Sequence, residues 1–428
     1  MKGTRARTPL MGRHLLIAAG IVAGLLIASG IGGRPALAQE PIKIGFSMAL
    51  TGGLAQAGKA ALLAMEIWRD DVNRAGGLLG RPVELIFYDD QTKGSNVPAI
   101  YAKLLDVDDV DFIVSGYGTN LTAPAMPIVI DRDLVFISLF ATAVNEKFHY
   151  PYYFQIMPAG PDPAVNWSEG FFSVAAQQNP KPRTVALLSS DSEFAQNTVV
   201  GARVNVEKYG FEVVYDEKYP PNTPDYSPIV RAIKARNPDI VYYISYPPES
   251  VGLVRASKEI GLKPKMVGGT MVGLQYTSIQ TSLGPDLNGI VNYWFWAPEP
   301  TMNFPGIDAF LKKYQAEAPK QKLDPLGYYL PPFAYAYLQV LGQAIEGSGS
   351  TDQKTVGEYI HNNPFDTVVG KIKFGSNGEW AQSRVLLVQL QNIQGHDVSE
   401  FSQPGKMVIL YPPKFKSGDL IYPFPGWK

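Results

Sequence analysis

The side chains that most often carry enzyme chemistry are few and scattered in this sequence. It contains no cysteine, and its four histidines lie far apart, at His14, His149, His361 and His396. Because a metal site needs clustered ligands, this distribution argues against cysteine and metal chemistry. We therefore predict no metal, no cofactor and no catalytic residue.

Motifs that hold nucleotides or activate a nucleophile are also missing. The chain lacks a G-x-S-x-G elbow, an H-E-x-x-H helix and a G-x-x-x-x-G-K-[ST] loop, and Gly116-Tyr117-Gly118 lacks the third glycine of a dinucleotide fingerprint. The carboxylate pair Asp89-Asp90 could serve acid/base chemistry, but it ends a predicted strand, where loop capping is the commoner role. A periplasmic enzyme of doubly wound fold stays open as an alternative.

Alternating short strands and amphipathic helices would have to position any binding site. The first series pairs predicted strands at 42–50, 83–88, 110–115 and 135–138 with helices at 59–74, 97–105 and 123–131. A second series runs from a strand at 152–156 to one at 265–267. This alternation predicts two α/β lobes in tandem, each with a doubly wound parallel sheet.

The last third of the chain is mostly helical. Helices are predicted at 307–315, 332–346 and 355–361, strands at 371–374 and 385–391, and an extended surface wrap over 407–427. Helices without strands of their own are typical of layers added to an existing lobe.

The N-terminus has the order of a secretory signal peptide. A basic start is followed by an apolar run from Leu15 to Ile31 and by small residues at Ala36 and Ala38, which predicts cleavage after Ala38. A membrane anchor is the alternative. With no lipid-anchor cysteine, we expect a protein that is free in the periplasm.

Charge excludes another class of partner. The predicted signal segment holds five of the 38 basic residues and none of the 39 acidic ones, so the mature chain has an excess of about six acidic residues. Binding to nucleic acid or to an anionic membrane is therefore not expected.

Several ordered motifs carry a resemblance to a known family. They are the segments 42–45 (IKIG), 50–55 (LTGGLA), 73–82 (NRAGGLLGRP), 116–122, 138–142 and 225–227. The chain resembles the leucine/isoleucine/valine-type periplasmic binding proteins of ABC transporters. The resemblance implies a type I fold with two Rossmann-like lobes, 39–156 plus 298–364 and 157–297 plus 365–428. It also implies three hinge crossings, near Gln155, Ala297 and Asn363.

In that family the first lobe binds the ligand carboxylate with N–H groups and hydroxyls of two strand-to-helix loops. The matching segments are Tyr117-Gly118-Thr119-Asn120 and Phe140-Ala141-Thr142. Free N–H groups at a helix start, together with the helix dipole, form an anion site. The alternative is that Thr119 and Thr142 cap their own helices.

The second lobe of the family covers the ligand with aromatic side chains and offers a carboxylate to its ammonium group. Phe194 and Tyr246 match the aromatic positions, although packing in the core is the alternative for each. Where amino-acid binders carry the acid, this sequence has Thr270-Met271, and Ala57 replaces a large aromatic residue. Because a buried ammonium without a counter-charge is costly, these departures favour a ligand without an amino group. Trp294 and Trp296 add to the aromatic residues expected near the pocket, which suggests a larger apolar or aromatic acid. Glu193 or Glu249 could still supply the acid from another loop.

Together these features predict the solute-binding component of an ABC importer. We expect a monomer that closes over an aromatic or other apolar carboxylate and delivers it to membrane permease and ATPase subunits. Binding of a branched-chain or other amino acid is one alternative, and a ligand-presenting sensor for a membrane receptor is another.

Overall fold

The first sheet is built from five parallel strands in the order β2-β1-β3-β4-β5. The computed structural model describes residues 39–427, so the predicted signal peptide lies outside the described residues. The elements are β1 (Ile42–Met48), α1 (Ala55–Arg74), β2 (Val83–Asp89), α2 (Val97–Asp106), β3 (Phe112–Tyr117), α3 (Thr119–Thr122), α4 (Met126–Asp131), β4 (Phe136–Leu139), α5 (Val144–Phe148) and β5 (Tyr153–Gln155).

Helix α1 ends just before Gly76 and Gly77, as these glycines in the sequence predict. Gly76 and Gly77 follow its last turn with φ of +111° and +82°, a backbone region that favours glycine. The Gly77 N–H donates to the Val72 carbonyl at 2.9 Å, which satisfies an acceptor at the helix end. The chain then turns back to form β2 at the edge of the sheet.

The second sheet has seven strands in the order β14-β13-β10-β9-β8-β6-β7. Its first elements are α6 (Pro163–Ala176), β6 (Thr184–Ser190), α7 (Glu193–Lys208), β7 (Glu212–Tyr219), α8 (Ser227–Arg236), β8 (Ile240–Ser245), α9 (Pro247–Ile260), β9 (Met266–Met271), α10 (Thr277–Leu283) and β10 (Val291–Trp294). Strands β6 to β10 are parallel, as the strand-helix alternation predicts. The predicted α/β fold with parallel sheets is confirmed.

Three further helices and a short hairpin follow β10. They are α11 (Ile307–Glu317), α12 (Pro331–Ser348), α13 (Gln353–Asn362), β11 (Phe365–Thr367) and β12 (Gly370–Ile372). Helix α12 packs on α1, where the Tyr337 hydroxyl donates to the Met65 sulfur at 3.1 Å. A Cβ on Gly342 would lie 2.9 Å from the Trp68 ring, so glycine permits this close helix packing. These helices do form a layer on the first lobe.

The chain then enters the second sheet through two antiparallel strands, β13 (Leu386–Leu390) and β14 (Met407–Tyr411). The prediction of surface wrap from residue 407 was wrong for these first five residues. Four of the five are buried, and β14 pairs with β13 as the edge strand. The rest of the tail does wrap this lobe, since the Phe424 N–H donates to the Lys265 carbonyl at 2.7 Å.

The segment between β12 and β13 lies beside the first sheet. The Gly378 carbonyl accepts from the Gln155 N–H at 2.9 Å, and the Arg384 N–H donates to the Pro158 carbonyl at 2.8 Å. Residues 365–382 were assigned to the second lobe from the sequence, with a crossing near Asn363. These contacts indicate that the chain passes from the first lobe to the second later than expected, near Ser383. The lobe boundaries themselves stay a prediction.

Candidate functional site

Two loops at the carboxyl ends of β3 and β4 are joined by a direct hydrogen bond. Gly118 has a φ of +98°, which turns the chain from β3 into α3. The Thr119 hydroxyl, at the start of that helix, accepts from the Thr142 N–H at 3.0 Å. Both threonines are buried. The structure therefore brings together the two loops that the sequence proposes for the carboxylate.

Neither threonine acts as a helix cap. The N-cap positions of α3 and α5 are Gly118 and Ala143, and neither makes a side-chain capping bond. The capping alternative for Thr119 and Thr142 is therefore not supported. The Thr142 N–H already donates to the Thr119 hydroxyl, so one of the N–H groups of these loops has a protein acceptor.

Gln155 ties the second loop to the first crossing between the lobes. Its amide oxygen accepts from the Phe140 N–H at 3.2 Å, and its amide nitrogen donates to the Ala141 carbonyl at 2.5 Å. The side chain is fully buried. The same residue thus holds the predicted binding loop and the end of β5.

Asn120 connects the first lobe to the two predicted aromatic residues of the second. Its amide oxygen accepts from the Tyr246 hydroxyl at 3.2 Å and from the Phe194 N–H at 3.4 Å. The rings of Phe194 and Tyr246 lie 5.2 Å apart, tilted by 37°. The structure therefore brings these three predicted residues together across the cleft.

A further bridge was missed in the sequence. The Asn197 amide, on the first turns of α7, donates to the Thr142 carbonyl at 3.0 Å. Asn197 lies three residues after Phe194, and one turn of a helix places residues with that spacing on the same face. Helical spacing from Phe194 was the signal that could have identified it.

Three other predicted residues lie in packed regions. Ala57 is buried in the first turn of α1. The Thr270 hydroxyl lies 2.6 Å from the Tyr242 hydroxyl, in the core of the second lobe, and the Met271 N–H donates to the Asn292 amide oxygen at 2.9 Å. The Thr270 side chain is thus used for packing of the second sheet, and neither residue contributes a carboxylate.

The two acids that could replace the missing one differ in position. Glu249 is buried, and its carboxylate accepts from the Ser190 hydroxyl at 2.9 Å, the Tyr219 hydroxyl at 3.1 Å and the Tyr246 N–H at 2.8 Å. Burial raises the pKa of this carboxyl. Glu193 is exposed at the start of α7, and burial of part of its carboxyl raises its pKa. Glu249 is thus held by three donors of its own lobe.

A cavity of about 610 Å³ adjoins Asn120 and Tyr246 between the lobes. Its walls combine loop residues of the first lobe with the starts of α7 and α9 from the second. Glu249 and Arg255 are charged residues of this lining. The cavity is large enough for a small organic acid.

Four tyrosines form a buried group beside the two loops, which we call the tyrosine cluster: Tyr117, Tyr276, Tyr293 and Tyr329. The Tyr329 hydroxyl lies 3.1 Å from the Tyr117 hydroxyl and 3.4 Å from that of Tyr293. The Tyr276 ring lies 5.8 Å from the Tyr329 ring. Of these, sequence analysis identified Tyr117 alone.

The other aromatic residues proposed near the pocket lie elsewhere. The Trp296 indole N–H donates to the Met302 carbonyl at 2.9 Å, and its ring packs 5.0 Å from Tyr328. In β10, Tyr293 joins the tyrosine cluster, whereas sequence analysis had named its neighbour Trp294. Successive residues of a strand point to opposite faces, so an error of one position selects the wrong side.

The acidic pair Asp89-Asp90 supports a loop, as expected. Asp89 accepts from the Thr51 hydroxyl at 2.6 Å and from the Leu50 N–H at 3.0 Å, and Asp90 accepts from the Thr92 N–H at 2.9 Å. Among residues 39–427, acids and histidines form no group that could hold a metal ion. Within the same residues, every helix is too short or too polar to cross a membrane.

Comparison with known proteins places the chain in a family. Residues 41–396 match the family model described as periplasmic binding protein. The leucine-, isoleucine-, valine-, threonine- and alanine-binding protein of Pseudomonas aeruginosa is 28% identical over 80% of this chain and 88% of its own length.

Two solved structures are similar in fold. An isoleucine complex of a branched-chain amino acid transporter substrate-binding protein from Streptococcus pneumoniae has a TM-score of 0.70 at 18% identity, covering 83% of this chain and 98% of its own. A solute-binding protein of R. palustris in complex with 4-hydroxybenzoate has a TM-score of 0.73 at 20% identity, covering 86% and 95%. With the family match over most of its length, the chain belongs to the periplasmic binding proteins, with the type I fold of the leucine/isoleucine/valine-binding group.

Proposed function

We propose that this chain is the solute-binding component of an ABC importer for a small aromatic or other apolar carboxylate without an α-amino group. It binds its ligand in the periplasm and presents it, as a monomer, to membrane permease and ATPase subunits. It needs no cofactor. Membership of the family supports the transport role, and the residues around Asn120 support the ligand class.

One observation carries the ligand class: the face that closes over the first-lobe loops is aromatic and uncharged where it meets Asn120. Phe194 and Tyr246 contribute an aromatic ring each, and their contacts with Asn120 are made by an N–H and a hydroxyl. An ammonium group at this place would lose its hydration, and Glu249, the acid of the cavity lining, already accepts from three protein donors, so burying the ammonium is costly. A carboxylate also loses hydration, but hydroxyls and N–H groups of the first-lobe loops can donate to it while its apolar body packs on the two rings.

The mechanism that we propose is closure of two lobes about the hinge crossings. The ligand carboxylate first binds to the loops that contain Thr119 and Thr142. The second lobe then rotates over it, and contacts such as Asn120 to Tyr246 and Asn197 to Thr142 form only in the closed arrangement. The transporter recognises the closed face.

Amino-acid binding is the second candidate, and a specific residue favours it. Glu249 lines the 610 Å³ cavity together with Tyr246. A carboxylate oxygen can accept more than one hydrogen bond, so an ammonium group in that cavity could reach Glu249 despite its three protein donors. The relative from Pseudomonas aeruginosa is named for amino acids.

A thermal-shift screen of residues 39–428 separates these candidates. The panel contains benzoate, phenylacetate and hexanoate on one side, and leucine, isoleucine and valine on the other. Ligand binding to the folded state raises the apparent melting temperature. Stabilisation by the acids alone supports the proposal, while stabilisation by the amino acids alone overturns it in favour of the second candidate.

A further inference from the structure

The hydroxyls of the tyrosine cluster carry more protons than they use in hydrogen bonds with one another. Each phenol hydroxyl carries one proton, so the four tyrosines supply four donors. In the part of the chain that the structure describes, their hydroxyls form two hydrogen bonds, both within the cluster: Tyr117 with Tyr329 and Tyr293 with Tyr329. Two protons are therefore not donated within the cluster, and the buried Tyr276 hydroxyl, which lies near that of Tyr117, makes no hydrogen bond of normal geometry.

The cluster also stays protonated. Burial raises the pKa of Tyr117 to about 12, and burial raises the pKa of Tyr276 well above its ordinary range. The neighbouring acid Asp324 is already engaged, because it accepts from the Thr277 N–H at 2.8 Å and the Thr277 hydroxyl at 2.7 Å. The cluster is thus a group of neutral hydroxyls in a buried region.

The position of the cluster joins it to the loops proposed for the ligand. Tyr117 is the last residue of β3, directly before the Gly118 turn. The Tyr329 ring packs 5.4 Å from the Phe140 ring, which belongs to the second loop. Tyr293 lies 4.5 Å from the Trp167 ring, and Trp167 lies 5.6 Å from Phe194. Aromatic contacts therefore run continuously from the cluster to the second-lobe face of the site.

We propose that the tyrosine cluster is a polar subsite that binds a second oxygen-bearing group of the ligand, a hydroxyl or a second carboxylate on an aromatic acid. Tyr276 and Tyr329 are the residues that determine this specificity. A ligand oxygen would accept the spare protons, whereas a methyl group would leave them buried and unpaired. An ammonium group would bring a positive charge into a buried cluster of neutral hydroxyls, without a counter-charge among them. This inference rests on the proposed function, since it takes the ligand to be an aromatic carboxylate.

The test compares matched acids by isothermal titration calorimetry on residues 39–428. Each of the three hydroxybenzoate isomers is measured against the methylbenzoate with the same substitution pattern, and benzoate itself is included. We expect at least one hydroxyl isomer to bind about tenfold more tightly than its methyl partner.

Three variants locate the effect. Tyr276→Phe removes a hydroxyl that makes no hydrogen bond of normal geometry in the protein, so the fold should be unaffected. Tyr329→Phe removes the hydroxyl at the centre of both cluster bonds. Tyr314→Phe is the matched control, because the Tyr314 hydroxyl is also buried without a partner but lies in α11, packed on Phe310.

The ratio of hydroxyl to methyl affinity should fall at least threefold in the first two variants and stay constant in Tyr314→Phe. The inference is overturned if wild-type ratios lie within threefold of one for all isomers while benzoate binds, and the proposed function then stands. It is also overturned if both cluster variants keep the wild-type ratio. If no aromatic acid binds and an amino acid does, the proposed function fails, and this inference fails with it.

Discussion

The Asn120 amide oxygen and the Tyr246 hydroxyl, 3.2 Å apart, connect the two lobes of this protein at the edge of its cleft. The same oxygen accepts the N–H of Phe194, the first aromatic residue of α7. A single side chain of the first lobe thus meets both aromatic residues that we propose cover the ligand. Since such bonds can form only when the lobes approach, we propose that they stabilise the closed, ligand-bound arrangement.

Removing this bridge should weaken ligand binding without unfolding the protein. We expect Asn120→Ala to lower the affinity for benzoate about tenfold and Tyr246→Phe about threefold, with a double variant that loses less than the sum of the two free energies. Calorimetry on the four proteins gives the coupling.

A matched asparagine provides the control for that cycle. Asn288 also makes two hydrogen bonds, to the Ile393 carbonyl and N–H at 2.8 Å each, but within the second lobe. Asn288→Ala should lower the melting temperature and leave the benzoate affinity unchanged. An Asn120→Ala protein with benzoate affinity within twofold of wild type would contradict the role of the bridge.

The ring of Phe194 should contribute to affinity more than to stability. Phe194→Ala removes an aromatic surface from the closing face, and we expect the affinity for benzoate to fall by about ten- to hundredfold. Phe211→Ala is the comparison, because Phe211 packs 5.9 Å from Phe172 in the core of the same lobe. That variant should lose more stability and keep its affinity. Equal losses of affinity in both would mean that Phe194 acts through general packing.

Gln155 should matter for both stability and binding. Gln155→Leu leaves the Phe140 N–H and the Ala141 carbonyl unpaired in a buried region, so we expect a loss of about 2–4 kcal/mol in chemical denaturation and a weaker affinity for benzoate. Gln353 is the control, since it accepts from the Val135 N–H and donates to the Asp111 carbonyl at the other end of the sheet. Gln353→Leu should lose stability alone. If both variants bind benzoate with the same affinity, the bonds of Gln155 to the second loop do not contribute to ligand binding.

The raised pKa of the Asp90 carboxyl predicts that stability depends on pH. Burial raises its pKa to about 6, from an ordinary value of 3.8. Between about pH 4 and pH 6 the folded chain therefore holds a proton that the unfolded chain has lost, and the contribution of Asp90 to stability falls as pH rises through that window. Asp90→Asn removes the charged form, so its free energy of unfolding at pH 7 should exceed that of wild type by about 1–3 kcal/mol, with a smaller difference at pH 4.

The neighbouring acid gives the opposite sign. Burial raises the pKa of Asp89, but hydrogen bonds from Thr51 and from the N–H groups of Gln91 and Leu50 lower it overall. Asp89→Asn should therefore lose stability at pH 7 and approach wild type as the pH falls below about 4. Denaturation curves at several pH values test both variants, and a parallel response of the two would contradict the assignment.

Much of the fold was predictable because its signals are local. Strand-helix alternation and the Gly76-Gly77 stop depend on neighbouring residues, and both agree with the structure. Strand β14 was not predicted, because its burial depends on pairing with β13 rather than on its own composition. The position of the segment between β12 and β13 beside the first sheet likewise depends on contacts far apart in the chain.

The site was predictable where a residue lies at the end of a strand or the start of a helix. Asn120, Phe194 and Tyr246 are all of this kind, and they meet in the structure. Tyr276 directly precedes α10 but was not identified, and Tyr329 lies in the connection between α11 and α12; only the folded chain brings their rings to 5.8 Å. The direction of the Thr270 hydroxyl, toward Tyr242 in the core of the second lobe, also depends on the folded sheet, so its place in the site stays a prediction.

The central claim is that the ligand has no α-amino group, and calorimetry on two matched pairs of compounds tests it directly. Phenylalanine and 3-phenylpropanoate differ only in that group, as do leucine and 4-methylpentanoate. We predict by calorimetry on residues 39–428 that at least one of the amine-free acids binds, and that its amino-acid partner binds at least about a hundredfold more weakly. Tighter binding of phenylalanine or leucine than of its amine-free partner would contradict the account and assign Glu249, or another acid, to the ammonium group.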